Sequence, residues 1–523
     1  MKDAGGICSV QDSPLQEYRP ARTRSAGAPV NPSTCRPVHT AGGHGGYWAG
    51  GREESGIPGA PAVSRGGFGN VGLPNCFRPP VVSRGEYETP ASLVISLIDV
   101  PLPAGTCMDV IILDAHPVED VRIERHITYL ADQGVNVCRI HYNYPDESAR
   151  QGLFHQYGAK GFRINLFSFQ GKIRTLYFMG YCLRRKILTD CRRALEALEI
   201  DPAQPSILHV HDPLLLPLAG MLVKRFLQNS RVVYDRHEVY EEWVHFGRIS
   251  IPLFYEDLAK KWISGTVVVS ERHLDAVREL FPESRVIAVP NYAAAASYDV
   301  NAIREKIHPA DPAAHIHAIY IGSLNNLADR DVDLLLDIAD AAIRSYDNVT
   351  FFIGGTSLDE GSRMKIEALA GKHNGRFQFL GYVPREKTVE LTEKAHIGFL
   401  LVRPDARYWV KTSPNKIYEY LVCGTVPIIR ADVDHADRLR ACSLIFDRTD
   451  ENEVILNAVL DLLGNSERLK QYMSAARELS TNYTWESVAC RYIELYTTIL
   501  SPGAVAGSPA RGIPLSADGC GVR

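Results

Sequence analysis

The sequence predicts an α/β chain built from two Rossmann-like, doubly wound domains that face a cleft. Three observations carry this. Short apolar runs alternate with stretches of helical period from Met108 onward. The alternation closes at Pro290 and Asn291 and starts again near residue 317. The runs are too apolar to be half-exposed strands, so they fit parallel sheets covered on both faces.

Strands are expected at 109–113, 135–140, 207–210, 232–234, 266–269 and 286–289 in the first domain (108–292). Helical stretches lie between them, at 118–133 and 174–198 among others, and Gly134 punctuates the first helix-to-strand turn. Residues 293–316, containing Ala, Asp and Pro, read as an interdomain linker. The second domain (317–482) repeats the pattern, with strands at 318–321, 350–353, 377–380, 397–401, 426–429 and 444–446. The stretch 483–501 reads as an amphipathic helix. Residues 1–107 and 502–523 flank this ordered region. The first 90 or so are rich in Gly, Pro, Ser and Arg, with AGGHGGYWAGG at 41–51. Such a composition cannot offset its own ordering entropy, so both flanks are expected to be disordered.

Composition narrows the function. The 523 residues carry a formal net charge of −4, which gives no global attraction to nucleic acid. The 11 cysteines show neither CxxC pairing nor finger spacing, which argues for reduced thiols and against a structural zinc. No apolar run reaches the ~18 residues of a spanning helix. The start of the chain lacks the basic-then-apolar pattern of a signal peptide. The run 91–107 ends in a cysteine, but Asp99 interrupts it and Thr106 precedes the cysteine, so a lipoprotein reading is rejected. A cytoplasmic protein is expected.

The most informative segment is 412–429, TSPNKIYEYLVCGTVPII. Ser413 suits an N-cap, Pro414 the first helical position and Gly424 the helix stop. The start of this helix would turn free N–H groups toward an anion. Lys416 sits in its first turn, and Glu419 lies one turn on along the same face, where a carboxylate can accept from vicinal hydroxyls. A capped surface helix with two solvated charges is the plain alternative.

This segment resembles the donor-binding signature of retaining GT-B glycosyltransferases of family four, in which Pro-Asn-Lys is followed by Glu and then a small-Gly-x-Pro strand. Other pieces resemble the family in order: IYIGSLNNLADRDVDLLL at 319–336, FQFLGYVPREK at 377–387, VVVSERHLDAV at 267–277 and VIAVPNY at 286–292. The resemblance runs from about Met108 to Leu500 and is closest in the second half. It implies a nucleotide-sugar as co-substrate, no further cofactor and no metal. It places Lys416, Arg330 and His237 in catalysis. Gly322, Ser323, Tyr382, Val383, Lys411, Ser413, Asn415 and Glu419 would hold the donor. Lys411 is a departure, because many relatives carry Glu there.

The residues support these roles unevenly. Gly322 and Ser323 follow a strand, where backbone N–H groups can approach a pyrophosphate. Arg330 can clamp phosphate with paired hydrogen bonds. Gly354 and Gly355 read as a close turn. Tyr382 and Val383 would hold a nucleotide base through their backbone, or simply pack a turn. His237 resembles the histidine that faces the donor sugar. His209 and His211 share a strand face, and a hydrogen-bonded role outweighs a metal pair because no third ligand is spaced near them. Asp114, Arg122 and Arg125 surround the first strand-to-helix turn, where relatives have a Gly-rich acceptor loop, so acceptor contacts do not carry over.

The stretch 174–198 carries Arg184, Arg185, Lys186, Arg192 and Arg193. It reads as a solvated face, with peripheral contact to an anionic inner membrane as the alternative. The expected partners are a nucleotide-sugar donor and a glycan or lipid-linked acceptor. Two other readings stand beside sugar transfer: a sugar-nucleotide epimerase or hydrolase of the same fold, and a non-catalytic nucleotide-sugar-binding partner.

Overall fold

The computed structural model describes residues 108–117, 119–142, 151–164, 185–241, 250–308, 315–324, 329–356, 358–406 and 413–501. The expectations for 1–107, for the tail and for Lys411 lie outside the described residues.

The first sheet holds β1 (Asp109–Asp114), β2 (Asn136–Tyr142), β3 (Gly152–Gln156), β4 (Ala159–Ile164), β5 (Ser206–His211), β6 (Arg231–Arg236), β7 (Ile263–Val268) and β8 (Arg285–Ala288). Its helices are α1 (Val121–Asp132), α2 (Arg185–Ala197), α3 (Leu216–Arg225), α4 (Ile251–Ala259) and α5 (Leu274–Leu280). The strand order is β3-β4-β2-β1-β5-β6-β7-β8, parallel apart from the β3–β4 hairpin. Val110 to Leu113 are buried on alternate sides, so helices or chain cover both faces. The hairpin escaped the sequence reading. Its two-residue turn is Tyr157 and Gly158, both with positive φ (55° and 81°), as a type I′ turn requires. Tyr-Gly is a weak form of that signal, and the half-exposed β3 lacks a strong apolar run.

The second domain contains α6 (Val300–Ile307), β9 (Ile316–Ser323), α7 (Val332–Ser345), β10 (Val349–Thr356), α8 (Glu360–Lys372), β11 (Phe377–Phe379), α9 (Arg385–Lys394), β12 (Ile397–Leu401) and α10 (Asn415–Val422). It continues through β13 (Val426–Arg430), α11 (Ala436–Leu439), β14 (Leu444–Phe446), α12 (Asn452–Leu463) and α13 (Ser466–Ser480). Strand order is β11-β10-β9-β12-β13-β14, and every pairing is parallel.

Two expectations need correction. The stretch taken as a linker contains α6, capped by Asp299, whose side chain accepts from the N–H groups of Asn301 and Ala302. Ile303 and Ile307 are buried one turn apart. The Lys306 ammonium donates to Ala395 O (2.7 Å) and Cys423 O (2.6 Å), which ties α6 into the second domain. Gly354 and Gly355 lie within strand β10 just before its last residue, paired to Ile321 and Gly322, and do not form a separate turn. Of the long helix expected at 174–198, residues 174–184 lie outside the described residues, and 185–197 form α2. There Arg192 pairs with Glu196 at 2.9 Å on an exposed face.

Both helix stops read from glycine hold. At Gly424 (φ 60°) the N–H groups of Gly424 and Thr425 donate to Leu421 O and Tyr420 O, and the same pair of bonds forms at Gly134 (φ 74°). A residue with a Cβ would resist that left-handed backbone.

The last helix, α14 (Glu486–Leu500), packs on the first sheet. Arg491 donates to Ala288 O at 2.7 Å, and Tyr492 and Tyr496 are fully buried against β5 and β6 residues. The apolar core is continuous across both sheets and α14.

Candidate functional site

In each sheet the strand order reverses direction beside the first strand: between β1 and β5, and between β9 and β12. The chain leaves these neighbours in opposite directions, which opens a crevice at their carboxyl ends where ligands bind. The residues singled out from the sequence gather at these two points.

On the second domain, β9 ends in Gly322 and Ser323, and the chain after β12 leads to α10. The Lys416 side chain lies across Gly322. A Cβ added there would sit 2.9 Å from Lys416 Cε and 3.0 Å from Nζ, so a larger residue would displace the ammonium from this position. Burial and the nearby Arg330 both push the Lys416 pKa down, against Glu419. Two cations thus lie near enough to repel each other, an arrangement that favours a polyanion beside them. Arg330 pairs with Asp329 and hydrogen-bonds Tyr320. The Tyr320 hydroxyl donates to Ser323 O at 2.7 Å and fixes the end of the strand. The loop 325–328 lies outside the described residues.

The cap of α10 differs from the expectation. Pro414 is the N-cap and no side chain caps the helix. Proline offers no side-chain acceptor, and the Ser413 hydroxyl instead donates inward to Tyr418 Oη at 3.2 Å. Ser413 is buried. The first N–H groups of α10 therefore keep their capacity for an outside acceptor. Asn415 Oδ1 is buried and has no partner among the described residues.

Glu419 accepts from Arg385 at 2.9 Å and from Arg125 at 3.4 Å, both on Oε1. Burial would raise its pKa, but Arg385, Arg125 and Lys416 hold it below the usual range. It is an ionised acceptor with Oε2 free of these two bonds, and Arg125 reaches it from the first domain. Val383 is buried and Tyr382 is 66% exposed. The Gly355 N–H donates to Gly381 O at 2.7 Å, which anchors this turn at the end of β10.

On the first domain, the sequence reading missed several groups. Beyond β5, Asp212 takes a backbone with φ 62° and ψ 160°, a region costly for any residue but glycine. Its carboxylate lies 2.8 Å from His116 Nε2 and 4.0 Å from His237 Nδ1, and accepts from Tyr240 Oη at 2.5 Å. Burial works against the His116 imidazolium, yet Asp212 and Asp120 hold its pKa well above the ordinary value. Glu238 follows His237 and is exposed to solvent. Crowding by protein, with Asp212 nearby and Arg330 opposing, pushes its carboxyl up to about 7. Only their position at a strand end before Pro213, or beside His237, could have signalled these residues.

Asp114 and Arg122 turn out to be internal. Arg139 and His141 hold the Asp114 carboxylate at 2.7 and 2.9 Å. Arg122 clasps Asp235 and donates to Val289 O (3.0 Å) and Asn291 Oδ1 (2.7 Å).

His209 and His211 have a third potential ligand in the folded chain. α1 brings His126 beside them, so ligand atoms of His126, His209 and His211 lie within 4.8 Å of one another. So do those of His116, Asp212 and His237. Spacing along the chain cannot reveal a helix residue folded over a strand 83 positions away. Each buried imidazole is nevertheless hydrogen-bonded through both nitrogens, as set out below.

Comparison with known proteins bears on the fold. Residues 121–293, about a third of the chain, match the family model described as Glycosyltransferase Family 4. No curated protein matches the chain in sequence. Among solved structures, sucrose-phosphate synthase from Thermosynechococcus elongatus superposes with TM-score 0.57 at 16% identity, covering 75% of this chain and 99% of that one. HepE from Anabaena in complex with UDP-glucose gives 0.52 at 11% identity, covering 74% and 98%. The trehalose-6-phosphate structure from E. coli bound with UDP-2-fluoro glucose gives 0.51 at 12%, covering 74% and 99%. At these identities the likeness establishes the fold, which is GT-B.

Proposed function

Taking as premise the Glycosyltransferase Family 4 match over 121–293 and the GT-B fold, we propose that the chain transfers a glycosyl group from a nucleoside-diphosphate sugar to an acceptor hydroxyl, with retention and without a metal. The observation that supports this most is the Lys416 ammonium laid over Gly322 beside Arg330, at the start of α10 and at the end of β9. A diphosphate in that crevice would meet two cations and a row of free N–H groups.

In this reading the donor sugar extends from the diphosphate toward His237 on the facing domain. The acceptor hydroxyl attacks on the face the diphosphate leaves, and the departing phosphate oxygen takes the proton. The charge developing on that oxygen is met by Lys416, Arg330 and the α10 N-terminus. Asn415 Oδ1, buried without a partner among the described residues, would accept from a donor hydroxyl or N–H. Closure over the cleft would keep water from the reacting carbon. The test is incubation with UDP-, GDP- and ADP-sugars and a panel of glycan and lipid-linked acceptors, with the anomeric configuration of the product read by NMR. An axial-to-axial outcome supports retention. Release of free sugar with every acceptor would favour the hydrolase reading.

Two further results are expected. Dialysis against EDTA leaves transfer unchanged, because two cations and the helix supply the positive charge; a loss restored by a divalent ion would contradict the metal-free reading. Glu419→Gln weakens nucleosides and nucleotides alike, by about 1–2 kcal/mol in calorimetry, and the loss shrinks for a 2′-deoxyribose donor. Equal loss with both sugars would place the ribose elsewhere.

A further inference from the structure

Behind His237 lies a continuous hydrogen-bonded chain of side chains. His237 Nε2 meets His211 Nδ1 at 3.0 Å. His211 Nε2 meets His126 Nδ1 at 3.3 Å. His126 Nε2 meets Tyr496 Oη at 2.8 Å, and the same hydroxyl meets His209 Nδ1 at 2.8 Å. His209 Nε2 ends the chain on Asp235 Oδ2 at 3.4 Å. Asp235 is fully buried and also accepts from Arg122 and Tyr492.

The end group fixes the direction of every bond. A neutral imidazole carries one N–H and one lone pair, a tyrosine hydroxyl one proton, and an ionised carboxylate only accepts. Burial keeps His126, His209, His211 and His237 toward the neutral form. Arg122 leads the groups that hold Asp235 ionised against its own burial. His209 must then carry its proton on Nε2 and present a lone pair on Nδ1 to Tyr496. With its proton spent there, Tyr496 accepts from His126 Nε2. His126 Nδ1 accepts from His211 Nε2, and His211 Nδ1 accepts from His237 Nε2.

We propose that Asp235, acting through His209, Tyr496, His126 and His211, fixes His237 as the Nε2–H tautomer and so presents a bare Nδ1 to the cleft as a hydrogen-bond acceptor for a sugar hydroxyl. Two carboxylates also approach the ring directly, both too far for a bond in this structure: Asp212 Oδ1 stands 4.0 Å from Nδ1 and Asp235 Oδ1 3.6 Å from Nε2. Asp235 Oδ2 lies 3.8 Å from His211 Nδ1, likewise beyond bonding distance. The relay adds a hydrogen bond on the Nε2 side of His237, against the pull of Asp212. It also gives α14 a task beyond packing, because Tyr496 on the last helix is the central link of a chain that ends in the cleft. Asp235, His209, Tyr496, His126 and His211 are positioning residues, and none reaches the substrate. The inference deepens the sugar-transfer reading and rests on it only for the identity of the hydroxyl.

The experiment is 15N–1H correlation of the imidazole rings in the full chain labelled with 15N-histidine, assigned by single His→Ala substitutions. In the unaltered protein His237 is expected as Nε2–H with Nδ1 unprotonated. Tyr496→Phe removes one oxygen and cuts the relay between His209 and His126. His209 should keep its Nε2 proton on Asp235, while His237 moves toward Nδ1–H by about five- to tenfold, the worth of one hydrogen bond. Donor-saturated turnover should fall with donor KM unchanged. Tyr492→Phe, which loses a bond to Asp235 outside the relay, should leave the His237 tautomer as it was. A proton on His237 Nδ1 in the unaltered chain overturns the proposal, as does an unmoved tautomer in Tyr496→Phe. The unaltered spectrum decides even if the variant fails to fold. The tautomers are read without turnover, so failure of the relay and failure of the transfer reading are distinguishable.

Discussion

His237→Ala lowers turnover by about a hundredfold or more, while nucleoside-diphosphate affinity changes little. A preorganised hydrogen-bonding group at the reacting sugar typically contributes 10²–10³ in rate, about 3–4 kcal/mol. His237 can contribute at that level because it is held rigidly. Nε2 is bonded to His211 at 3.0 Å, and Asp212 and His116 flank the other side of the ring. It lies on the first domain, whereas the diphosphate contacts proposed here lie on the second. The substitution should therefore separate kcat from donor KM, the pattern of an interaction gained in the transition state. Stopped assays at saturating donor, with nucleotide titration on the same preparation, check this. Equal loss in both quantities would mean that the substitution disturbs the cleft as a whole.

Lys416→Ala weakens UDP, GDP and ADP derivatives by similar factors, about ten- to a hundredfold, as expected for a lost charge-assisted hydrogen bond of about 1.5–3 kcal/mol. The uniformity is the informative part. Lys416 lies over Gly322, where a diphosphate passes whatever base it carries. Nucleosides, which lack the diphosphate, should bind as before. A loss confined to one nucleotide would move Lys416 from the phosphates to the base. Arg330 sits close enough to depress the Lys416 pKa, so a bound diphosphate also relieves a repulsion between the two cations, and the measured loss contains that relief as well as the direct contact.

Much of this was legible in the chain because local rules and the global fold agree. The strands showed as apolar runs, since parallel strands bury both faces. Gly134 and Gly424 marked helix stops because the backbone there is left-handed. Lys416 and Glu419 stood out because one turn of helix puts them on one face. What failed had physical reasons. Ser413 has the chemistry of an N-cap, but its hydroxyl found Tyr418 and left Pro414 as the cap. Helix α6 lay inside a segment whose Ala, Asp and Pro residues imitate a linker. The first-domain wall of the cleft was the least legible. His116, Asp212, Tyr240 and the relay to Asp235 come from different strands, loops and the final helix, so no spacing along the chain relates them.

Calorimetric titration of UDP, GDP and ADP into the full chain and into a Lys416→Ala/Arg330→Ala double variant tests the central claim most directly. The account predicts that at least one nucleoside diphosphate binds the unaltered chain and loses at least tenfold in affinity in the double variant. Binding of none of the three, or equal binding by both proteins, would contradict a donor site between β9 and the start of α10.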